Sequence, residues 1–157
     1  MKKQKNKIYA IFILITESIG ALSGFLSRSG MELYSTTINQ PPLSPPSILF
    51  PIVWGVLYAL MGFGAARIYI AEPSTGRSRG INLYITQLVV NFFWSLIFFN
   101  AQAFGFALIW LLLLWFLVMW MILTFRKVDI LAAYLQVPYL VWLAFAAYLN
   151  TGVWYLN

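Results

Sequence analysis

Apolar residues fall into five long runs along the chain, separated by short polar segments. The runs cover about Ile8–Leu26, Ile48–Ala71, Ile81–Ala101, Phe104–Phe125 and Ile130–Tyr155. A helix needs roughly 20 mainly apolar residues to cross a hydrocarbon core of about 30 Å, and each run is long enough. The pattern therefore predicts an all-α fold: an integral membrane bundle of five transmembrane helices in a single domain, residues 1–157.

The longest connection lies between the first two spans, at residues 27–47. It contains four prolines in the segment Gln40-Pro-Pro-Leu-Ser-Pro-Pro46. Proline fixes its own φ and pushes the preceding residue toward extended conformations, so this segment is expected to be a semi-rigid strap. We expect the loop to form an ordered lid over one end of the bundle. The connection 72–80 is expected to be an ordinary flexible turn.

The basic residues gather on one side of the predicted membrane. With a cytoplasmic N-terminus, only Arg28 lies outside, and the cytoplasmic side holds Lys2, Lys3, Lys5, Lys7, Arg67, Arg77, Arg79, Arg126 and Lys127. The positive-inside rule then places the N-terminus in the cytoplasm and the C-terminus outside. These charges are explained by attraction to anionic membrane lipid, and no pattern predicts a nucleic-acid partner.

The composition excludes several classes of chemistry. Hydrophobic residues make up 62% of the chain and charged residues 9%, which is incompatible with a soluble enzyme. The sequence has no cysteine and no histidine. Disulfides, thiolate metal sites, histidine ligands and histidine-based acid–base catalysis are therefore ruled out. We expect no metal site, no required cofactor and no conventional catalytic constellation.

Polar and aromatic residues inside the spans are the candidate functional positions, because polar groups in hydrocarbon are costly. Those at helical spacing are Trp54 and Tyr58 in the second span, Gln87, Asn91, Trp94 and Ser95 in the third, and Trp142, Ala146, Leu149 and Asn150 in the fifth. Large aromatics with a few amides suit a flat apolar ligand held by stacking. The alternative is that the amides only join helices by hydrogen bonds.

Three further positions in the spans have more than one interpretation. Glu17 is the only charge well inside a span, and it is either a proton or cation site or a neutralised carboxyl. Gly20 and Gly24 form a GxxxG pattern, which allows close helix contact either within the bundle or between protomers. Pro138 is expected to kink the fifth helix and to free backbone groups there.

Three longer motifs occur together in this chain. They are Pro45-Pro46 followed by Phe50-Pro-Ile-Val-Trp-Gly-Val-Leu-Tyr58-Ala-Leu-Met-Gly62, then Gln87-Leu-Val-Val-Asn91-Phe-Phe-Trp94-Ser-Leu-Ile-Phe-Phe99, then Pro138-Tyr-Leu-Val-Trp142-Leu-Ala-Phe-Ala146-Ala-Tyr-Leu-Asn150. In order and spacing they resemble the tryptophan-rich sensory protein/translocator protein family, also called the peripheral-type benzodiazepine receptor family. The resemblance covers essentially the whole chain.

The resemblance implies a ligand cavity beneath the first loop of a homodimeric five-helix membrane protein, which binds porphyrins such as protoporphyrin IX. The positions that match the family's pocket are Tyr34, Trp54, Tyr58, Asn91, Trp94, Ser95, Trp142, Ala146 and Leu149. Trp54 and Trp142 match the tryptophans associated with porphyrin photochemistry. The chain departs from the family at Gln40, Leu43 and Ile48, where basic or aromatic residues are common. Sterol specificity is not supported.

The function implied by the resemblance is a tetrapyrrole-binding sensor or regulator in the bacterial cytoplasmic membrane. Some family members promote porphyrin degradation that depends on light and oxygen, and here Trp54 and Trp142 would act. The alternative is a small transporter of porphyrin or a related amphiphile, linked to protons through Glu17. A structural or partner-binding subunit is a third interpretation, supported only by the GxxxG pattern.

Overall fold

The computed structural model describes residues 1–157 and contains helices but no strands. The helices are α1 (Lys2–Thr37), α2 (Leu49–Ile70), α3 (Thr75–Ser95, continued by a π-helical turn over Leu96–Asn100), α4 (Phe104–Arg126), α5 (Ile130–Tyr134) and α6 (Val137–Leu156). Five helical segments, with α5 and α6 counted together, are long and apolar enough to cross a membrane. The predicted all-α membrane fold with five spans is confirmed.

The core forms where α4 turns one face toward the rest of the bundle. Its buried residues are spaced three and four apart, at Leu111, Leu114, Val118, Met121 and Phe125. That spacing places them on a single helical face. The opposite face carries exposed apolar side chains such as Phe116 and Leu123, as expected for a surface that contacts lipid.

One side of the bundle is less tightly packed than the others. The helix α1 packs on α2 and α3, α3 packs on α4, and α4 packs on α5 and α6. The backbone of α6, by contrast, approaches α2 and α3 closely almost nowhere. Large side chains fill the resulting gap between α2, α3 and α6, which we call the inter-helix gap.

The first helix is longer than its apolar run, so the predicted loop 27–47 was wrong in its first half. Residues 27–37 continue α1, and the connection begins at Ile38. Ser27 and Gly30 are buried on this extension, and Gly30 lies against the backbone of Phe99 in the π-helical turn. The hydropathy of the chain indicates where a helix leaves the membrane. The helix itself can continue past that point when it still packs against another part of the protein.

Two other bounds differ from the prediction. The expected turn at 72–80 is helical from Thr75 onward, because the Ser74 side chain caps α3 by accepting a 3.1 Å hydrogen bond from the Arg77 amide. The fifth span is interrupted at Leu135–Gln136, just before Pro138, which lies in the first turn of α6 and has no N–H to donate to the Tyr134 carbonyl. Proline is well tolerated there, since the first N–H groups of a helix have no intrahelical partner.

The proline-rich strap, residues 38–48, is tied to α6. Asn39 and Asn157 exchange two hydrogen bonds: the Asn39 amide donates to Asn157 Oδ1 at 3.0 Å, and Asn157 Nδ2 donates to the Asn39 carbonyl at 2.8 Å. Tyr148 donates from its hydroxyl to the Pro42 carbonyl at 2.7 Å. Buried Pro41 lies against Gly152, where any Cβ would collide with its ring. The strap therefore covers the C-terminal half of α6.

At the opposite end, one ion pair joins α2 to the start of α5. Arg67 donates from Nε to both oxygens of Asp129, at 3.2 and 3.0 Å, and its terminal nitrogen lies 2.8 Å from Oδ2. Asp129 also accepts from the Ala132 amide at 2.9 Å and so caps α5. Partial burial would raise the pKa of the Asp129 carboxyl, but these hydrogen bonds outweigh it and lower the pKa below its ordinary value.

The Asp129→Asn substitution is expected to keep the helix cap but to lose the ion pair. At pH 7 it should reduce the free energy of unfolding by about 1 kcal/mol, the range of partly exposed pairs. The Asp129 contribution is complete above the ordinary carboxyl pKa of about 3.9, and it is lost as the pH falls through the lower folded-state pKa. Thermal unfolding in detergent should therefore show a difference between the two proteins that narrows as the solution is acidified.

The exposed Glu72 provides the control, because it makes no ion pair. The Glu72→Gln protein should follow the wild type at every pH. A difference between wild type and Asp129→Asn that stays constant down to pH 2 would show that the carboxylate charge is not the source of the stabilisation.

Candidate functional site

A chain of buried polar side chains crosses the inter-helix gap. The Tyr58 hydroxyl of α2 donates to Asn91 Oδ1 of α3 at 2.7 Å, and Asn91 Nδ2 donates to the Tyr139 hydroxyl of α6 at 2.7 Å. Tyr139 in turn donates to Gln87 Oε1 at 2.8 Å, and Gln87 Nε2 points to the Met61 sulfur at 3.3 Å. We call these five residues the polar chain. It connects α6 to α2 and α3, whose backbones α6 otherwise approaches closely almost nowhere.

The direction of the hydrogen bonds is the same along the whole polar chain. The Met61 sulfur has no hydrogen to donate, so Gln87 turns its amide nitrogen toward it and presents its oxygen to Tyr139. Tyr139 then uses its single hydroxyl proton on Gln87 and accepts from Asn91. Asn91 is left with its oxygen facing Tyr58, one free N–H and one free lone pair. Neither of these two groups has a partner in the protein.

Aromatic rings cover the polar chain. Trp54 lies one helical turn before Tyr58 and stacks on its ring, with the centroids 5.4 Å apart. The same indole meets the Tyr139 ring edge-on at 6.1 Å. Trp142 on α6 packs against Phe50 at the start of α2, at 6.0 Å, and both tryptophans are half-buried. Trp54 and Trp142 therefore line the same gap from opposite helices.

A second aromatic cluster closes the gap at the end nearer the strap. Trp94 donates from Nε1 to Asn150 Oδ1 at 3.3 Å, and Asn150 donates to the Phe104 carbonyl at 2.8 Å. Trp94 also stacks on Phe98 of the π-helical turn, with the centroids 5.0 Å apart. Tyr34, expected in the loop, lies instead in the last turns of α1 and packs on Phe98 at 5.5 Å. Such π-turns recur at functional sites because they redirect side chains.

The remaining candidate positions fall into two groups. Ala146 and Leu149 are buried on the side of α6 that carries Tyr139 and Asn150. Ser95 does not join this surface, because its hydroxyl lies 2.9 Å from that of Ser23 on α1. The structure therefore brings Trp54, Tyr58, Asn91, Trp142, Ala146 and Leu149 to the gap, with Trp94 and Tyr34 at its end, and it turns Ser95 toward α1.

Tyr139 was missing from the candidates, although it is 1% exposed and holds the centre of the polar chain. The sequence contained a signal for it. Positions 139, 142, 146 and 149 are three or four residues apart, so Tyr139 begins the same helical stripe as Trp142.

Glycines of α1 and α2 explain why these two helices pack closely. A Cβ at Gly20 would collide with the Tyr58 ring, and one at Gly62 would lie 2.7 Å from the Ile13 Cα atom. Gly20 thus supports Tyr58 from behind, inside the bundle, whereas Gly24 has open space around it. Glu17 is half-buried and makes neither an ion pair nor a hydrogen bond that would connect it to the polar chain.

Known proteins are similar in sequence to this chain over nearly its full length. The model of the TspO/MBR family matches residues 12–156. The translocator protein of sheep (Ovis aries) is 34% identical over 152 residues, which cover 94% of this chain and 89% of the sheep protein.

The chain belongs to the TspO/MBR family.

Bacterial and human relatives support the same assignment. The tryptophan-rich protein TspO of Chlorobaculum tepidum is 33% identical over 153 residues, which cover 94% of each chain. The human translocator protein is 34% identical over 149 residues, 92% of this chain and 88% of the human one. This TspO/MBR protein thus matches its relatives over the whole five-helix bundle, including the segments that carry the polar chain.

The Tyr139→Phe substitution is expected to destabilise the bundle. Removing the hydroxyl leaves Gln87 Oε1 without a donor and Asn91 Nδ2 without an acceptor in a buried site. The loss should be about 1–3 kcal/mol, seen as a lower thermal unfolding midpoint in detergent. The matched control is Tyr134→Phe, since Tyr134 is 63% exposed and makes no side-chain hydrogen bond. Equal midpoints for both variants would show that the polar chain does not hold the three helices together.

Proposed function

We propose that this TspO/MBR protein is a membrane tetrapyrrole-binding sensor that takes a porphyrin, such as protoporphyrin IX, into the inter-helix gap. The observation that supports this most strongly is the arrangement around Asn91. A buried amide with free hydrogen-bonding capacity lies behind two half-buried tryptophans, in a gap that side chains fill and backbones do not. Displacing side chains from such a gap requires less rearrangement than separating packed helices.

The chemistry of the gap fits a metal-free porphyrin better than a haem. The chain has no histidine or cysteine, so the usual axial ligands of a haem iron are missing. Trp54 and Trp142 offer ring faces on opposite helices, and stacking of this kind contributes about 0.5–1.5 kcal/mol per pair beyond area burial. The free N–H and lone pair of Asn91 would orient a polar group of the ligand.

The same geometry supports a photochemical role. Indole is the most easily oxidised ring among the side chains of the gap, so a porphyrin excited by light would take an electron from Trp54 or Trp142. Molecular oxygen takes that electron from the reduced porphyrin and becomes superoxide, and the indole radical cation recovers an electron from the ring. Superoxide then adds to the resulting porphyrin radical cation, so that O₂ is the net oxidant and the tryptophan is restored. Binding and degradation are separate parts of this proposal, because the ring can be held in darkness without reacting.

The wider setting of the proposal follows the charge pattern. We infer an N-terminus in the cytoplasm and a C-terminus outside a bacterial cytoplasmic membrane, because nine of the ten basic residues then face the cytoplasm. We infer a homodimer from the resemblance to the family. Transport linked to protons has less support, since Glu17 makes no hydrogen bond to the polar chain.

Enlarging Ala146 is expected to block the gap. Ala146 is buried beside Trp142 on α6, so Ala146→Phe would occupy the space proposed for the ring. We expect dark affinity for protoporphyrin IX, measured by quenching of tryptophan fluorescence, to fall by roughly ten-fold or more. Ala144→Phe adds the same side chain to an exposed position of the same helix and should leave affinity unchanged. Undiminished affinity in a folded Ala146→Phe protein would place the porphyrin elsewhere.

Replacing the two tryptophans separates binding from photochemistry. Phenylalanine keeps an apolar ring but is a far poorer electron donor, so Trp54→Phe and Trp142→Phe should retain most dark binding. Both should slow the loss of porphyrin absorbance under light at equal occupancy. Trp120→Phe, at a 54% exposed position on the lipid side, serves as the control and should bleach like wild type.

Two results would argue against the photochemical part. If affinity and bleaching fall together in both variants, the tryptophans only shape the cavity. If wild-type protein bleaches porphyrin no faster than detergent alone, the protein binds the ring without reacting with it.

A further inference from the structure

A groove on the outside of the bundle has a mixed polar and apolar lining. It lies between α3 and α4 at the end that carries most of the basic residues, and this open groove has a volume of about 450 Å³. Its α3 wall carries the polar side chains of Thr75, Ser78, Arg79, Asn82 and Thr86. Nothing in the proposed porphyrin site uses this groove, since the inter-helix gap lies on other faces of the bundle.

The polar side chains of the groove are exposed and almost free of partners within the protein. The Thr86 hydroxyl donates to the Asn82 carbonyl at 2.8 Å, but the side chains of Ser78, Arg79 and Asn82 make no hydrogen bond or ion pair. From Thr75 to Thr86 the helix rises about 16 Å. The apolar run of the third span begins at Ile81, so we expect Asn82 and Thr86 at the far end of this stripe to lie in the hydrocarbon, where unpartnered polar groups are costly.

The other wall of the groove is apolar. It is formed by Leu83 of α3 and by Leu117 and Trp120 of α4. Trp120 is 54% exposed, and tryptophan is enriched where the polar and apolar parts of a membrane meet. The groove therefore offers hydrogen-bonding groups on one side and a hydrocarbon surface on the other.

The charge around the groove is strongly positive. This end of the bundle carries nine basic residues but only Glu72 and Asp129 as acids. Asp129 is already paired with Arg67, whereas Arg79 has no carboxylate partner. The ligand that complements this groove is an amphiphile with an anionic head.

We propose that the groove binds one anionic phospholipid of the adjacent leaflet. The phosphate lies at Arg79 and Ser78, and the polar glycerol ester region meets Asn82 and Thr86. One acyl chain follows Leu83, Leu117 and Trp120. A second copy of the chain fits less well, because a two-fold contact here would bring the two unpaired Arg79 side chains to the same interface.

The test compares lipids and variants by native mass spectrometry of the full chain released from detergent. Phosphatidylglycerol should bind at least several-fold more tightly than phosphatidylcholine. Arg79→Gln should weaken phosphatidylglycerol binding about five-fold, the effect of one basic residue near an anionic surface. Asn82→Leu should weaken it as well. Lys5→Gln removes the same charge from the same end, on α1 and outside the groove, and should change little.

Three outcomes would overturn the proposal. Equal effects of Arg79→Gln and Lys5→Gln would show a general attraction to the basic end. Competition of inorganic phosphate with the lipid at equal concentration would show a free-anion site. Loss of a dimer in Arg79→Gln or Asn82→Leu, with lipid binding unchanged, would make the surface a protein contact. A result supports the proposal only if the variants unfold at the same midpoint as the wild type in lipid-free detergent. A failed porphyrin titration would leave this result unaffected.

Discussion

The structure depends on one constraint: a polar group inside the membrane must find its partner within the protein. Asn91 and Gln87 are both buried at the centre of the bundle, and water is not available to them there. Their partners come from α2 and α6, through Tyr58 and Tyr139. The polar chain therefore links α2 and α6 to α3 across the gap, and the hydrogen bond from Trp94 to Asn150 adds a second link between α3 and α6.

The contrast with the other side of the bundle supports the proposed place of the ligand. Gly20 and Gly62 let α1 and α2 approach until side chain and backbone touch, which leaves no space. On the α6 side, tyrosines and tryptophans span the distance, and aromatic side chains reorient far more easily than helices move. Rotation of Trp54 would open the gap without breaking a hydrogen bond of the polar chain, whereas rotation of Tyr139 would break two of them.

The fold was predictable because hydropathy alone reports membrane spans. The α4 bounds lie within one residue of the predicted ones, since apolar residues and helix coincide there. The predicted C-terminal end of α1 was about eleven residues too early. Residues 27–37 remain helical because they contact the π-helical turn, and no local pattern reports such contacts. The break at Leu135–Gln136 lies where Pro138 has no N–H to donate to the Tyr134 carbonyl, and the buried Gln136 there donates to the Leu60 carbonyl at 3.1 Å, a contact that no local pattern reports.

The candidate site was predictable in part for a similar reason. Helical spacing identified Asn91, Trp54 and Trp142, since it reports which residues share a face. It does not report which neighbour that face meets, so Ser95 was assigned to the pocket although it bonds to Ser23 of α1. Tyr139 shows the opposite case, because its helical spacing with Trp142, Ala146 and Leu149 is present in the sequence and the structure places it at the centre of the polar chain.

The central claim is that the porphyrin ring lies in the gap between Trp54 and Trp142, and fluorine NMR tests it most directly. With 5-fluorotryptophan incorporated, the seven tryptophans give separate signals that single Trp→Phe substitutions assign. A porphyrin ring current shifts only nuclei close to it. Addition of protoporphyrin IX in darkness should shift the signals of Trp54 and Trp142 most and leave those of Trp115 and Trp120 in place. Shifts confined to Trp115 and Trp120 would contradict the account and place the ligand on the lipid-facing surface.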